Sequence, residues 1–183
     1  MNKLIEILKD GGIAILKTDT LYGIVGLAEN PHTVDRIYEI KNRNPLKPVV
    51  VLLSDISELS QFGIHVDADL QSILDVYWPG KVSIVLETSS SIDLHHIHKG
   101  TGGVAFRVPD DAMLRDILRQ TGPLVAPSAN PEGQTPAKDI GTAMDYFGDK
   151  VNFYKDDGEC VNLKPSKIIK VDRVKDSVEI IRD

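Results

Sequence analysis

Cysteine is scarce in this sequence: among 183 residues, only Cys160 is a cysteine. A single thiol excludes a disulfide within the chain and is typical of proteins in a reducing cytosol. Long apolar runs are missing too, because the longest, at residues 49–53, is far too short to cross a bilayer. The first residues, MNKLIEILKDGG, mix acids and bases and lack the apolar centre of a signal peptide. We therefore expect a cytoplasmic protein that makes no membrane contact.

The common signatures of nucleotide-binding and hydrolytic enzymes are also missing. The chain contains no GxxxxGK[ST] or GxGxxG loop, no GxSxG elbow and no HExxH helix. LHHIH at 94–98 offers three imidazoles, but their spacing fits no common metal site, so we expect no metal there. DDGE at 156–159 is typical of a turn, and no base or cation is placed beside Cys160 to activate its thiol. We interpret Cys160 as a packing residue.

The formal net charge of −6 argues against a surface that binds polyanions as a whole. A contact with a nucleotide or RNA therefore has to come from a local basic cluster. KNRNPLKP at 41–48 is such a cluster, with Lys41, Arg43 and Lys47 just before an apolar run. Arginine in a bidentate fork and lysine as a point charge can hold phosphate oxygens. The alternative is a solvated helix end, where basic residues interact favourably with the helix dipole.

Length and composition predict one domain spanning residues 1–183, since 42% hydrophobic and 26% charged residues are ordinary for a globular protein. Periodicity and caps predict helices at 2–9, from 30 to about 41, 55–62, 67–77, 110–120 and about 137–147. Apolar and β-branched runs predict strands at 13–17, 48–54, 81–88, 104–108, 124–126, 151–154, 167–171 and 178–181. Because the last strands follow one another without helices, we expect an α/β (α+β) fold around a mixed parallel and antiparallel sheet.

Two segments present polar side chains where predicted strands end. TDTLYG at 18–23 follows a strand with an acid and several hydroxyls, which is typical either of a tight turn or of a site. PLVAPSANPEGQTPA at 123–137 places Ser128 and Asn130 between prolines that keep the backbone extended. A rigid strand end that offers a hydroxyl and an amide is typical of a place that holds a ligand.

Arg107 is unusual because it lies in VAFRVP, a strand whose other residues should be buried. A buried guanidinium needs an anionic partner. That partner is either an acid within the protein or a ligand, and the sequence leaves both alternatives open.

These segments together resemble the YrdC/Sua5 family, the threonylcarbamoyl-AMP synthases. KTDTLYG resembles the family's Pro-Thr-Asp/Glu-Thr-x-Tyr-Gly, and KNRNPLKP resembles its Lys-x-Arg-Pro loop. YWPGKVSIVL, VAFRVP and APSANPEGQTPA resemble its Trp-Pro-Gly, Val-Ala-x-Arg-x-Pro and Ala-Pro-Ser-Ala-Asn-x-Ser-Gly segments, in the same order along the chain. The resemblance implies the family's short form: a twisted mixed sheet with flanking helices that encloses a deep basic pocket.

The resemblance also implies a reaction. The family joins L-threonine, bicarbonate and ATP, with Mg²⁺, into threonylcarbamoyl-AMP and pyrophosphate, and a downstream transferase passes the threonylcarbamoyl group to tRNA. The alternative is a non-catalytic RNA-binding or ribosome-associated relative, with weak tRNA contact, that uses the same basic concavity.

Residue roles follow from the resemblance in the same way. The implied ATP contacts, of which Lys41 and Arg43 would stabilise the transferring phosphoryl group, are Lys41, Arg43, Lys47, Ser128, Asn130 and Arg182. The implied threonine contacts, of which Arg107 would pair with the carboxylate, are Thr20, Tyr22, Arg107, Ala126 and Ser166. The chain departs from the family pattern at Lys17 for proline, Leu52 for histidine, Glu132 for serine and Lys167 for threonine.

Overall fold

The strands are short, and their order in the sheet differs from their order along the chain. The computed structural model describes residues 1–89, 91–161, 164–172 and 177–183. Its strands are β1 (Ala14–Lys17), β2 (Tyr22–Leu27), β3 (Val50–Leu52), β4 (Val82–Glu87), β5 (Gly103–Arg107), β6 (Leu124–Val125), β7 (Phe153–Tyr154), β8 (Lys167–Asp172) and β9 (Ser177–Arg182). Its helices are α1 (Asn2–Lys9), α2 (Pro31–Lys41), α3 (Ala68–Tyr77), α4 (His95–His98), α5 (Ala112–Thr121) and α6 (Ile140–Phe147), with a 3₁₀ helix at Ile56–Phe62 and another at Gly148–Lys150.

The described strands form one mixed sheet in the order β7-β1-β2-β6-β3-β5-β4-β8-β9. The β1/β7, β3/β5 and β4/β8 pairs are parallel, and the other neighbours are antiparallel. The predicted fold class, a mixed sheet with flanking helices, is therefore confirmed. None of the helices in the described parts of the chain has the length and hydropathy of a membrane span.

The centre of the sheet is buried on both faces, and this explains the nearly continuous apolar runs. Because successive side chains of a strand point to opposite faces, Ile13 and Ile15 pack in one core while Ala14 and Leu16 pack in the other. One core lies under α2, α3 and α6, and the smaller core lies under α1 and α5. Helices α1 and α5 cover only part of the sheet face on which the smaller core lies. The uncovered part of that face can form a cavity.

Side-chain caps fix the beginnings of most helices. Asn30 accepts a hydrogen bond from the Thr33 N–H at 3.1 Å and opens α2, with Pro31 in its first turn. Asp111 and Asp139 open α5 and α6 in the same way. The expected start of α5 at Asp110 and the expected start of α6 near 137 are therefore corrected, because the capping carboxylates lie one and two residues further along.

Strand β2 was not expected from the sequence, and its glycines explain why. A β-carbon on Gly26 would lie 2.4 Å from Cγ2 of Thr33, so only glycine lets α2 pack this closely on the strand. Two other expectations are corrected as well. Helix α4 lies in a segment read as a polar loop, and the segment expected as a helix at 55–62 is 3₁₀ in the structure.

Candidate active site

A cavity of about 620 Å³ opens on the face of the sheet that α1 and α5 leave uncovered. Its wall is formed by the β1–β2 turn, the loop before β3, the segment after β6 and the C-terminal strands. The lining residues are Thr18, Thr20, Leu21, Tyr22, Gly23, Arg43, Lys47, Pro48, Val49, Val50, Val85, Thr101, Gly103, Ala105, Arg107, Ala126, Pro127, Ser128, Pro165, Ser166, Ile168, Ile181 and Arg182. Nine of the eleven residues assigned to the site from the sequence are in this set; Lys41 and Asn130 are not.

Strand register builds the floor of the cavity. Val50 of β3 is paired with Ala105 of β5, and Ala105 is paired with Val85 of β4, so the three side chains share one face. Arg107 lies two residues beyond Ala105 and therefore projects from the same face. An apolar floor with a guanidinium at one end suits a ligand that has both apolar and anionic parts.

Arg43 reaches the cavity because α2 ends abruptly. Asn42 adopts a left-handed conformation, with φ of 50°, which an asparagine tolerates, and the Arg43 N–H donates to the Tyr38 carbonyl at 2.9 Å. The Arg43 guanidinium donates to the Pro48 carbonyl at 2.7 Å and lies 5.5 Å from the centre of the Tyr38 ring. These contacts hold the guanidinium at the cavity wall while leaving its charge without an ion pair to a described carboxylate.

Lys47 is held by an acid that sequence reasoning did not place in the site. Its ammonium donates to Oε1 of Glu132 at 3.1 Å, and Oε2 of Glu132 accepts from the Asn44 N–H. The Asn44 hydrogen bond, with the Lys47 hydrogen bond second, lowers the pKa of Glu132. Glu132 thereby joins the loop before β3 to the loop after β6. The sequence did contain a signal for this contact, because Glu132 stands where the family has serine.

Arg182 enters the cavity from the last strand. A register shift in the β8/β9 pair falls between Ile168 and Ile169, so Arg182 is aligned with Ile168 whereas Ile180 is aligned with Ile169. The guanidinium donates to the Ser166 carbonyl at 2.6 and 3.1 Å. Burial, followed by the charges of Arg107 and Arg43, lowers the pKa of Arg182. Guanidinium groups from three distant parts of the chain thus converge on one cavity.

Ser166 is buried and is also held by a residue that the sequence did not single out. Its hydroxyl lies 2.8 Å from the hydroxyl of Ser83 on the neighbouring strand β4. Ser83 is a fully buried polar residue in a strand that is otherwise apolar up to Leu86, which is the signal that could have identified it.

Ser128 and Asn130 differ in what they contact. Both belong to a turn fixed beside β2, where the Ala129 N–H donates to the Tyr22 carbonyl at 2.8 Å. The Ser128 hydroxyl lines the cavity and donates to Oδ1 of Asn130 at 2.6 Å. The amide group of Asn130 donates to the carbonyls of Pro131 at 2.9 Å and Gln134 at 2.7 Å. The Asn130 side chain therefore orients the turn from behind, and Ser128 faces the cavity.

Lys41 occupies a different place from the one expected for a phosphate contact. Its side chain is 1% exposed, and its ammonium donates to the backbone carbonyls of Ser128 and Asn130. Burial, with the Arg43 charge second, lowers its pKa from 10.5 to about 7. In this structure Lys41 supports the turn that carries Ser128, because its ammonium is directed at main-chain oxygens rather than into the cavity.

Tyr22 is one of the lining residues, but its side chain is fully buried in the larger core and its hydroxyl is used elsewhere. The hydroxyl donates to the Gly158 carbonyl at 2.8 Å and accepts from the Asp157 N–H at 3.1 Å. Burial is the main cause that raises the pKa of Tyr22. DDGE at 156–159, which the sequence predicted to be a turn, is irregular backbone in the structure, and it lies against the back of the β1–β2 segment. The Lys17 ammonium also donates to this segment, at the Glu159 carbonyl (3.0 Å).

Arg107 has an internal anionic partner, which decides between the alternatives that the sequence left open. Nη1 of Arg107 is ion-paired with Asp19 in the β1–β2 turn, and the two side chains are each 4% exposed. Nη2 lies 3.4 Å from the hydroxyl of Thr20, and Nε is buried with no hydrogen-bond partner among the described residues. The internal pair leaves part of the guanidinium without an acceptor.

The remaining candidates lie outside the cavity. His96 contacts the Ala28 carbonyl at 2.8 Å, and Nδ1 of His98 accepts from the Gly100 N–H at 3.0 Å. Within the described parts of the chain, no group of three acids, histidines or cysteines could hold a metal ion. Cys160 is buried, and burial raises the pKa of its thiol.

Residues 6–183 match the family model described as telomere recombination, the Sua5–YciO–YrdC family. A putative threonylcarbamoyl-AMP synthase of Methanocaldococcus jannaschii is 33% identical over 93% of this chain and 81% of its own length. The threonylcarbamoyl-AMP synthase of Bacillus subtilis is 30% identical over 78% of this chain, but the match covers only 42% of that protein.

Solved structures show the same fold. Sua5 of Pyrococcus abyssi complexed with L-threonine has a TM-score of 0.88 at 23% identity, over 98% of this chain and 52% of that one. YciO of Escherichia coli has a TM-score of 0.85 at 21% identity, over the whole of this chain and 87% of that one. The chain thus spans about half the length of Sua5.

Proposed function

The chain belongs to the Sua5–YciO–YrdC family, and we propose that it is a threonylcarbamoyl-AMP synthase, a nucleotidyltransferase acting on L-threonine, bicarbonate and ATP. The single observation that carries the proposal is the convergence of Arg43, Arg107 and Arg182 on one cavity beside Ser128. Arg43 and Arg182 are brought together without an ion pair to a described carboxylate, and a polyanionic ligand offsets the cost of their repulsion.

The cavity offers a separate place for each substrate. Arg43 and Lys47 lie on the wall that would receive the triphosphate, with Ser128 beside it, and Arg182 lies between the two places because its guanidinium donates to Ser166. Arg107, Thr20, Ala126 and Ser166 surround the end that would receive threonine, with the Arg107 guanidinium toward its carboxylate. The bound L-threonine of the Pyrococcus abyssi Sua5 supports threonine as the amino acid.

The reaction needs positioning and charge stabilisation rather than a covalent nucleophile. The unprotonated threonine amine takes up bicarbonate to give a carbamate and water. A carbamate oxygen then attacks the α-phosphorus of ATP, and pyrophosphate leaves with the electrons of the broken P–O bond. Arg43 and Arg182 would stabilise the charge that grows on the phosphoryl oxygens and the leaving group.

Mg²⁺ fits this cavity as a complex with the triphosphate rather than as a resident ion. The described lining residues include hydroxyls and cations but no carboxylate. A hard cation in such a site takes its oxygen ligands from the phosphates. When bound, it would neutralise phosphate charge alongside the arginines.

The product is a mixed anhydride that needs an acceptor, and we propose that a downstream transferase passes its threonylcarbamoyl group to tRNA. The alternative, a binding module without catalysis, is disfavoured by the net charge of −6 and by the enzyme names of the relatives. A salt titration with tRNA separates the two. A steep salt slope without threonine-dependent ATP turnover would support the binding module.

The test supplies labelled bicarbonate, L-threonine and Mg-ATP to the pure protein and measures labelled adenylate and pyrophosphate. Arg43→Ala should lower the rate by ~10²-fold or more, because it removes a fixed charge from the phosphoryl oxygens. Arg36→Ala is the matched control, since Arg36 lies on α2, seven residues before Arg43, and donates to Asn152 and Lys150 at the surface. Normal pyrophosphate release by Arg43→Ala would contradict the proposed role.

A further inference from the structure

Asp19 is a buried acid beside the cavity that lies outside the set of expected ligand contacts. It lies in the turn between β1 and β2, and its side chain is 4% exposed. Oδ1 accepts from Nη1 of Arg107 on β5, and Oδ2 accepts from the Asp110 N–H at 3.2 Å. One carboxylate therefore ties together the β1–β2 turn, strand β5 and the loop that follows β5.

This carboxylate determines which donors of Arg107 remain for a ligand. Nη1 is taken by Asp19, whereas Nη2 has only a long contact of 3.4 Å to Thr20 and Nε has no partner among the described residues. Nε is buried beyond the reach of a ligand, so Nη2, whose contact with Thr20 is long, is the donor that remains for an acceptor oxygen. A carboxylate oxygen can accept from Nη2, since charge-assisted hydrogen bonds between guanidinium and carboxylate are strong.

The pair also divides the cavity electrostatically. At one end, Asp19 neutralises Arg107. Elsewhere on the wall, Arg43 and Arg182 have no ion pair to a described carboxylate, and Arg182 is affected by the charges of Arg107 and then Arg43. A triphosphate is therefore attracted to these unpaired charges, while the neutralised Arg107 suits an amino acid that carries both signs of charge.

We infer that Asp19 is a positioning residue for amino-acid recognition, an inference that rests on the proposed function. It holds the Arg107 guanidinium so that Nη2 meets the carboxylate of the amino acid, and by neutralising Arg107 it makes that guanidinium a poor partner for phosphate groups. Asp19 itself touches no substrate atom, and it acts through Arg107.

The test compares Asp19→Asn, Asp19→Glu and the control Asp110→Asn by calorimetric titration with L-threonine, L-threoninamide and ATP. Asp110→Asn makes the same one-charge change next to the network, but its carboxylate is largely exposed and lies 3.8 Å from Arg115. In Asp19→Asn, the Kd for threonine should rise by ~10- to 100-fold because Arg107 is no longer held in place. The Kd for ATP should stay within about threefold, since Arg43, Lys47 and Ser128 are untouched.

Three readouts separate positioning from a merely structural role. The preference of the wild type for threonine over threoninamide should shrink in Asp19→Asn, because threoninamide lacks the carboxylate that Arg107 reads. Asp19→Glu, which keeps the charge, should recover part of that preference. In the wild type, inorganic tripolyphosphate should compete only with ATP. In Asp19→Asn, where Arg107 becomes an unpaired cation, it should compete with threonine as well.

The inference is overturned if Asp19→Asn keeps the wild-type threonine affinity and preference, or binds threonine more tightly. If Asp19→Asn fails to fold and no longer binds ATP either, the test passes to Asp19→Glu. A folded Asp19→Glu that shows no preference for threonine over threoninamide overturns the inference. Failure of the proposed function has a different signature. In that case the wild type itself releases no pyrophosphate in response to threonine, whatever the variants bind.

Discussion

Replacing Lys41 by methionine should change how the stability of the protein depends on pH. The side chain is buried and its ammonium is held by the carbonyls of Ser128 and Asn130. Burial is the main cause that lowers its pKa from 10.5 to about 7. The unfolded chain keeps the lysine proton up to about pH 10.5, whereas the folded chain releases it near pH 7. In that window the unfolded state binds more protons, so raising the pH favours the folded state.

The size of the effect follows from the two pKa values. The charge on Lys41 opposes folding by about 4 kcal/mol at pH 7 and by about 2 kcal/mol at pH 9. Between these pH values the wild type should therefore gain about 2 kcal/mol of unfolding free energy that Lys41→Met does not gain. Below pH 7 both states bind the proton and the gain disappears.

Urea unfolding at a series of pH values measures this difference directly. Other groups, such as the Cys160 thiol, titrate in the same window, and the comparison with Lys41→Met cancels their contribution. Lys9→Met is the matched control, since Lys9 is an exposed lysine at the end of α1. It should follow the pH dependence of the wild type. Parallel curves for the wild type and Lys41→Met would refute the reasoning, because they would mean that Lys41 titrates alike in both states.

Two other substitutions test contacts around the cavity. Glu132→Gln keeps an acceptor for the Asn44 N–H but frees Lys47 from its acid, so calorimetry should find ATP binding up to about fivefold tighter at low salt and unchanged at high salt. Unchanged affinity at low salt would contradict the competition between Glu132 and phosphate. Tyr22→Phe removes the partner of the Gly158 carbonyl and the Asp157 N–H, so denaturant unfolding should show a loss of about 1–3 kcal/mol. Its Kd for threonine should change by less than about threefold. A larger change in that Kd, without a loss of stability, would indicate that the Tyr22 hydroxyl contacts threonine directly.

The helices and most strands could be predicted because their signals are local. Asn30 and Asp67 cap helices through hydrogen bonds to residues three positions ahead, and such spacing is visible in the sequence. Strand β2 was missed because its signal is not local. Gly26 is required by the approach of Thr33 from α2, and a glycine chosen for packing weakens the β-strand pattern around it.

The polar residues of the candidate site could be found from the sequence, but their partners could not. Arg107 is identified as a buried charge by its apolar neighbours, whereas its partner Asp19 lies 88 residues away. Lys41 and Arg43 lie two positions apart in one basic segment, and from the sequence both are expected to contact phosphate. Only the fold separates them: Lys41 points under the Ser128 turn, and the left-handed Asn42 turns the chain so that Arg43 reaches the cavity.

The basic segment at 41–48 predicts that it supplies most of the positive charge of the cavity. In the structure, much of that charge comes from elsewhere in the chain. Lys41 is directed at main-chain carbonyls and Lys47 is paired with Glu132, so this segment contributes mainly the charge of Arg43. The second charge without an ion pair to a described acid is Arg182, which is brought in by the final strand. A pair of charges supplied by residues 139 positions apart exists only when β9 is in place. Triphosphate binding and the pairing of β9 with the sheet should consequently stabilise each other. A ligand that binds only the complete cavity favours the folded state in which β9 is paired.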